Sequence, residues 1–172
     1  MAQQMRAVVL KVFGPPSNLA LGMVDKPVRQ TAKEALVKIR ACGVNRADTM
    51  QRNGKYPPPP GASEILGLEM AGEVVEACEE SPRFKVGQRV MTILTGGGYA
   101  DYCVVPDDHL LPVPEHMSFE EAACIPEAYL TAFQLLHLVG KMEKGDNVLI
   151  HAGASGVGIA ATQLAKLGGA GK

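Results

Sequence analysis

Short apolar runs separated by turn-forming residues make up the first two thirds of the chain. The runs are rich in Val, Ile and Leu and lie between glycines and prolines, a pattern typical of strands. The proline run Pro57–Gly61 is too stiff for a central strand, and we expect it to form an extended loop. The pattern predicts a mostly antiparallel β domain. Its six predicted strands are Ala7–Phe13, Leu19–Val24, Ala35–Val44, Glu69–Cys78, Arg89–Leu94 and Tyr99–Val105.

Helical signals begin at Ser118, where the pattern of the chain changes. The Ser118 hydroxyl and the carboxylate of Glu121, three residues on, can cap two free N–H groups of a first helical turn. A second helix is predicted over Glu127–Val139, because apolar residues recur there on one helical face, and Gly140 ends it. That face carries Ala128, Ala132, Leu135, Leu136 and Val139.

The last predicted unit is a strand, a small-residue turn and a helix. Asn147–His151 is a short apolar run typical of a strand buried on both faces. A turn over Ala152–Gly158 follows, and then a helix over Ile159–Leu167. Such a unit begins a doubly wound parallel sheet, which needs further parallel strands to cover its faces. The chain ends at Lys172, and we expect that sheet to be incomplete. The helix residues available for packing are Ala160, Ala161, Leu164 and Leu167.

The charge balance gives no sign of a nucleic-acid or membrane partner. There are 17 basic and 18 acidic residues, and no basic cluster is longer than two. The apolar run near the N-terminus is too short for a signal sequence or a membrane span. The four cysteines lie far apart without a C-x-x-C pair, as in proteins with reduced thiols. We expect a soluble cytoplasmic protein with a small, neutral or apolar substrate.

Candidate chemistry lies first in the small-residue turn. Glycines allow a tight turn and a close approach of the backbone and helix N-terminus to a pyrophosphate, where free N–H groups and the helix dipole favour negative charge. A dinucleotide is the ligand that this arrangement fits. The spacing departs from G-x-G-x-x-G, and such turns also serve to pack a helix on a strand. The candidate residues are Gly153, Ala154, Ser155, Gly156, Val157 and Gly158.

Six longer motifs follow one another along the chain. In their order and spacing, the chain resembles the zinc-free quinone oxidoreductase branch of the medium-chain dehydrogenase/reductase superfamily along its whole length. The resemblance implies an α/β protein, with a GroES-like substrate domain over residues 1–125 and the start of a Rossmann-type, NADPH-binding domain over residues 126–172. The motifs are Ala41–Asp48, Tyr56 with its prolines, Ile65–Glu69, Gly96–Ala100, Ala123–Pro126 and Leu149–Gly158.

Zinc divides this superfamily. The resemblance implies a Cys ligand in the zinc-dependent branch where this chain has Asn45, and a His ligand where it has Leu68. An amide is a poor zinc ligand and Leu is none, so we expect no metal. Direct hydride transfer from NADPH then suits an electrophilic acceptor, such as a quinone or related unsaturated carbonyl. We expect Cys42, three residues before Asn45, to be a small buried strand residue.

The resemblance also assigns roles to single residues. Asn45 and Tyr56 correspond to catalytic and cofactor-binding groups beside the nicotinamide and the substrate, and Thr131 to a position that contacts the cofactor. Tyr56 could donate a hydrogen bond to the oxygen that gains charge, and Asn45 could hold the carboxamide or the acceptor carbonyl. From the residues alone, Asn45 could equally cap a helix and Tyr56 could pack as a plug. We expect Asp48 to fix the start of a short helix around Ala47–Met50.

Several points rest on the resemblance alone. The residues that distinguish NADP from NAD lie about twenty positions beyond the glycine turn, so the choice of NADPH is a family expectation. The homodimer is likewise expected from the resemblance alone. One alternative is a catalytically impaired product, whose β domain folds without a complete cofactor site. Another is a structural or RNA-associated protein like the lens crystallin relatives, against which the near-neutral charge argues.

Overall fold

A computed structural model describes residues 2–80 and 82–172. The chain divides into two compact units, Met1–Cys124 and Ile125–Lys172. The first is built of strands with two short helices, and the second is helical.

The first unit holds a hairpin and a five-stranded antiparallel sheet. The hairpin pairs β1 with β2, from Gln4 opposite Asp25 to Leu10 opposite Leu19. The larger sheet has the strand order β6-β3-β4-β5-β7, and every pairing in it is antiparallel. The strands are β1 Gln4–Leu10, β2 Leu19–Asp25, β3 Glu34–Cys42, β4 Glu69–Glu76, β5 Arg89–Ile93, β6 Tyr102–Pro106 and β7 Leu111–Pro112.

Backbone hydrogen bonds join the hairpin to the larger sheet. The Val8 N–H donates to the Tyr99 carbonyl at 2.8 Å, and the Asp101 N–H donates to the Arg6 carbonyl at 3.0 Å. The segment before β6 therefore binds β1 on one side, while β6 pairs with β3 on the other. Alternate residues of the central strands form one apolar core, as a sheet with one covered face requires. Core residues include Ala35, Val37, Met70, Val74, Phe84, Val90, Cys103, Val105 and Leu110.

The predicted GroES-like antiparallel β domain is confirmed, with small shifts in its strands. All six predicted strands form, but the first is Gln4–Leu10 instead of Ala7–Phe13. Val12 and Phe13 are exposed and precede the turn at Gly14, so they leave the sheet. The sequence did not predict β7, because two residues are too few to produce an alternating pattern.

Two short helices flank this sheet. Helix α1 spans Arg46–Arg52 and follows β3, and helix α2 spans Phe119–Ala122. The predicted capping box at α2 is confirmed, because the Ser118 Oγ accepts from the Glu121 N–H at 3.1 Å and the Glu121 Oε2 accepts from the Ser118 N–H at 2.8 Å. Both bonds are local, so four consecutive residues were enough to predict them.

The second unit contains helix α3, Pro126–Phe133, which continues as a π-helical segment, Gln134–Val139. Helix α4, Gly156–Leu167, packs against them through small residues. The predicted apolar face of the second helix is only partly buried: Ala132 and Leu136 are buried, while Leu135 and Val139 are exposed. The π-helical turn explains the difference, because it changes the angular spacing on which the α-helical prediction rested. In α4, Leu167 is exposed as well.

The predicted strand over 147–151 is not formed. The described chain gives this segment no β-ladder partner, and Leu149 is 83% exposed. A strand forms only beside another strand, and the apolar run alone could not show whether one was present. Three hydrogen bonds do connect this region to the C-terminal residues in a parallel sense, and in one of them the Gly171 N–H donates to the Asp146 carbonyl at 2.8 Å. The Gly145 N–H donates to the Gly169 carbonyl at 2.8 Å, and the Val148 N–H donates to the Lys172 carbonyl at 2.8 Å.

One stretch, Phe119–Val139, is long and apolar enough to cross a membrane by length and composition alone. The core helix of a soluble protein meets the same criteria. Here the stretch is interrupted between α2 and α3.

Candidate functional site

One candidate site, in the first unit, lies at the junction between β3 and α1. Asn45 is the N-cap residue of α1, and its backbone N–H donates to the Asp48 Oδ2 at 2.7 Å. The Asp48 N–H in turn donates to the Asn45 carbonyl at 3.2 Å. Asp48 is buried, so this pair fixes the backbone where the chain leaves the sheet. The predicted structural role of Asp48 is confirmed.

The side chain of Asn45 has a second partner besides the first turn of α1. A capping box places its oxygen beside the Asp48 N–H, and its Nδ2 donates to the Oε1 of Glu69 at 2.8 Å. Glu69 is the first residue of β4 and is only 3% exposed. Because Cys42 pairs with Met70, the end of β3 lies beside the start of β4, which brings the two side chains together. The cap alternative therefore accounts for the position of Asn45, and Glu69 is a further partner of its amide nitrogen.

Tyr99 stabilises the same junction through a hydrogen bond to Asp48. Its hydroxyl donates to the Asp48 Oδ2 at 2.8 Å. Burial, followed by the hydrogen bond to Asp48 and the nearby acidic charges, raises the pKa of the Tyr99 phenol well above its usual range. The phenol therefore stays neutral and acts as a donor. Sequence reasoning missed this residue, because it lies 51 positions from Asp48.

Gly43 provides the space in which Glu69 lies. A Cβ at this position would lie 2.1 Å from the Glu69 Oε1 and 2.8 Å from the Ala123 carbonyl oxygen. Any other residue would therefore displace the carboxylate or the backbone. Gly43 is buried and connects β3 to the Asn45 turn.

The prediction that Cys42 is buried was wrong, because Cys42 is exposed. It is the last residue of β3, where the sheet no longer covers it. Partial desolvation, with the charges of Asp48 and Glu69, raises the pKa of its thiol. A cleft of about 540 Å³ lies next to it, and its lining also includes Val44 and Tyr99. This cleft is mostly apolar and adjoins the Asn45 junction.

Tyr56 lies in the loop between α1 and the prolines, and its side chain is 48% exposed. The described residues offer its hydroxyl no hydrogen-bond partner, so the phenol is available to a ligand. The alternative of a packed plug does not fit this exposure. Of the two predicted catalytic residues, Asn45 is therefore held by a hydrogen bond to Glu69, whereas the Tyr56 hydroxyl is free of such a bond to the described residues.

The two positions at which the resemblance implies zinc ligands in the metal-dependent branch lie together in the structure. Asn45 contacts Glu69, and the preceding residue, Leu68, is buried. Leu68 accepts a backbone hydrogen bond from Leu94 at 2.6 Å. Within residues 2–80 and 82–172, no group of three or more His, Cys, Asp or Glu side chains could hold a metal ion.

A separate candidate site, in the second unit, is the turn that leads into α4. Ser155 is the N-cap, its Oγ accepts from the Gly158 N–H at 3.0 Å, and its carbonyl accepts from the Ile159 N–H at 2.8 Å. In the part of the chain that the structure describes, the N–H groups of Gly156 and Val157 have no acceptor. Two free donors at the positive end of a 12-residue helix form a suitable anion site.

The glycines of this turn have different roles. A Cβ on Gly158 would lie 2.4 Å from the Ala152 carbonyl oxygen, so Gly158 is required for packing. A Cβ on Gly153 or Gly156 would have no protein atom closer than 3.9 Å. The left-handed residue of the turn is Ala152, with φ +53°. Helix packing therefore explains Gly158, while the space at Gly153 and Gly156 is open to a ligand.

Ala154, another predicted residue of this turn, is exposed. Thr131 lies on α3, half-buried between the exposed Leu130 and the buried Ala132.

Comparison with known proteins agrees with this architecture. Residues 31–115 match the family model of the alcohol dehydrogenase GroES-like domain. The chain is 37% identical over 161 residues to a synaptic vesicle membrane protein VAT-1 homolog of Danio rerio, covering 94% of this chain and 33% of that protein. It is 37% identical over 164 residues to a quinone oxidoreductase of Lama guanicoe, covering 94% of this chain and 49% of that protein.

A solved structure, the quinone oxidoreductase from Coxiella burnetii, is similar with a TM-score of 0.85 at 34% identity. The match covers 98% of this chain and 55% of that one. The chain thus spans between one third and about half of the length of the relatives that it matches.

Proposed function

Because the chain belongs to the quinone oxidoreductase branch of the medium-chain dehydrogenase/reductase superfamily, we propose that it serves the zinc-independent, NADPH-dependent reduction of quinones or related unsaturated carbonyls. The observation that carries this proposal is the amide of Asn45, held against a buried carboxylate at the position where the zinc-dependent branch would bind metal. Amide and phenol groups can orient a substrate without a metal.

The residues of the glycine turn fit a nicotinamide dinucleotide. The N–H groups of Gly156 and Val157 would hold the pyrophosphate, and the open space beside Gly153 and Gly156 would admit it. Thr131, Ala154, Ser155 and Gly158 complete the proposed cofactor-binding set. NADPH, as opposed to NADH, is proposed from the family alone.

When bound, the reduced nicotinamide supplies a hydride, and a quinone can accept it without a Lewis acid. The remaining tasks belong to Asn45 and Tyr56, the proposed catalytic residues. Asn45 would orient the nicotinamide carboxamide or the acceptor carbonyl through its side-chain amide. Tyr56 would donate its exposed phenol to the acceptor oxygen that gains negative charge.

For the second unit, we propose the beginning of a Rossmann-type sheet over residues 126–172. The parallel hydrogen bonds from Gly145 to Gly169 and from Val148 to Lys172 support this proposal. In this arrangement, α4 is the crossover helix between two parallel segments, as in a β-α-β unit.

We further propose a cytoplasmic protein that acts as a homodimer on a small quinone, without a nucleic-acid or membrane partner. The net charge of −1 favours a neutral substrate. The stretch Phe119–Val139 carries Glu120, Glu121 and Glu127 and is broken before Pro126, which argues against a membrane span. Analytical sedimentation tests the homodimer, and flotation with lipid vesicles tests the absence of membrane binding.

The experiment is a direct assay of quinone-dependent NADPH oxidation by the purified protein, with and without a metal chelator. The proposal predicts turnover that chelation leaves unchanged. In parallel, Gly156→Leu should fill the open space at the turn and weaken NADPH binding at least tenfold, while Lys166→Leu, exposed at the other end of α4, should not. Loss of turnover on chelation, or unchanged NADPH affinity in Gly156→Leu, contradicts the proposal.

A second candidate is a chain whose β domain folds without a functional cofactor site. The segment 147–151, which forms no β-strand and leaves Leu149 exposed, favours it. Fluorescence titration of the 172-residue chain with NADPH decides between the two candidates, because tight binding excludes the second.

A further inference from the structure

We propose that Glu69 is a positioning residue, which fixes the orientation of the Asn45 amide in the candidate site. This inference rests on the proposed function, because it assigns Asn45 a task in hydride transfer. Glu69 would contact neither the substrate nor the cofactor. The contact that carries this role is the 2.8 Å hydrogen bond that the Glu69 Oε1 accepts from the Asn45 Nδ2.

The chemistry of the pair determines which way the amide faces. An ionised carboxylate can only accept hydrogen bonds, whereas an amide has a donating NH₂ group and an accepting oxygen. With its NH₂ group held by Glu69, Asn45 turns its Oδ1 away from the carboxylate. Without Glu69, the amide could rotate by half a turn and exchange donor for acceptor.

Other contacts fix the backbone of Asn45 and place one end of its side chain. Its backbone N–H is held by Asp48, and Asp48 is held by Tyr99. A capping box places the side-chain oxygen of Asn45 beside the Asp48 N–H. The bond to Glu69 holds the other end of the amide, its NH₂ group, so the two contacts agree on one orientation.

Glu69 is a buried carboxylate at the start of an apolar strand. Burying a carboxylate is costly unless it is paired and hydrogen-bonded, and the three residues after Glu69 in β4 are all buried and uncharged. Gly43 adds to the evidence, because its missing side chain leaves the space that Glu69 Oε1 occupies. Gly43 and Glu69, 26 residues apart in the sequence, are thus both required for the hydrogen bond to Asn45.

The test compares Glu69→Leu, Glu69→Gln and Gly43→Ala. Glu69→Leu removes the acceptor, while Gly43→Ala leaves residue 69 as Glu but places a Cβ 2.1 Å from its Oε1 and 2.8 Å from the Ala123 carbonyl oxygen. Both should lower kcat for quinone reduction by roughly 10- to 100-fold, the range expected for a misplaced catalytic group. The NADPH dissociation constant should change by less than about threefold, because the phosphate site lies on α4. Glu69→Gln keeps an accepting oxygen and should retain kcat within about threefold of the original value.

A double-mutant cycle separates positioning from a general loss of structure. If Glu69 acts through Asn45, Glu69→Leu should lower kcat no further in a protein that already carries Asn45→Ala. Losses that multiply would overturn the proposal, and so would a Glu69→Gln variant as impaired as Glu69→Leu.

Nuclear magnetic resonance provides a readout that needs no activity. The Asn45 side-chain amide signal, assigned by its loss in Asn45→Ala, should shift in Glu69→Leu and in Gly43→Ala and stay near its original position in Glu69→Gln. An unshifted signal in folded Glu69→Leu and Gly43→Ala would overturn the positioning role even if the protein reduces quinones. An inactive unmodified protein that shows the predicted shifts would instead contradict the proposed function and leave the hydrogen bond established.

Discussion

The Nδ2 of Asn45 donates to the buried Oε1 of Glu69 at 2.8 Å, across the junction where β3 ends and β4 begins. This contact gives the Asn45 amide a defined orientation in a site that has no clustered metal ligands among the described residues. The zinc-independent chemistry proposed above depends on it, because the protein must then supply orientation and hydrogen bonding through its own side chains.

Two tyrosines should respond differently to loss of their hydroxyl groups. Tyr99→Phe removes one of the two donors to the buried Asp48 Oδ2, leaving the Asn45 N–H, and should destabilise the protein by about 1–3 kcal/mol. Tyr56→Phe removes a hydroxyl that bonds to no described residue and should change stability by less than about 0.5 kcal/mol. It should nevertheless lower kcat by roughly tenfold or more. Thermal unfolding and quinone reduction, measured on both variants, check this. A Tyr56→Phe variant with full activity would remove Tyr56 from the proposed mechanism.

The glycine turn offers a matched pair for a stability test. Gly158→Ala places a Cβ 2.4 Å from the Ala152 carbonyl oxygen, so the backbone must move. The expected loss of stability is about 1–3 kcal/mol, measured by denaturant unfolding. Gly156→Ala has free space and stands in a helix, where Ala is favoured, so its stability should be equal or slightly higher. Equal loss in both variants would show that the turn differs from the one described.

How far the sequence could predict this structure depended on the distance between interacting residues. The capping box of Ser118 and Glu121 lies within four residues and was predicted. The bond between Asn45 and Glu69 joins residues 24 positions apart, and its prediction requires the β3–β4 register. Sequence could offer only one signal, a carboxylate at the start of an otherwise apolar strand.

The second unit shows the same limit. Periodicity predicted its helices, but not the π-helical turn over Gln134–Val139 that exposes Leu135. The apolar run 147–151 has the composition of a strand, yet strand formation depends on neighbours that composition does not reveal. For Asn45, Tyr56 and Thr131, the sequence placed candidates by resemblance, and their roles stay predictions.

The cysteines should divide into two reactive and two protected thiols. Cys42 and Cys124 are exposed, while Cys78 and Cys103 are buried. Burial raises the pKa of the Cys103 thiol to about 12, so it carries almost no thiolate near neutral pH. Brief alkylation of the folded protein should add two labels by mass spectrometry, and unfolding should allow four. A labelled Cys103 in the folded protein would contradict the packing of the core.

The raised pKa of Cys42 should make its alkylation slower than that of a free cysteine, because less thiolate is present. A rate that increases with pH up to and beyond the ordinary thiol pKa would agree. Alkylation as fast as that of free cysteine at neutral pH would contradict the raised pKa.

Stability should also depend on pH through Glu121. Its pKa is lowered because the Ser118 N–H donates to its carboxylate. A lowered pKa in the folded state stabilises the protein above the pKa of the unfolded chain, about 4.3, and this contribution is lost as pH falls through the folded value. Glu121→Gln should therefore be less stable than the original protein near neutral pH, and the two should converge in acid. A difference that grows as pH falls would have the wrong sign.

The proposed reduction of quinones needs no metal and depends on Asn45. The most direct measurement is the rate of quinone-dependent NADPH oxidation by chelator-treated protein, compared with that of Asn45→Ala. We predict turnover in the treated protein and a loss of roughly tenfold or more in the variant. No turnover without added metal, or equal rates for the two proteins, would contradict the claim.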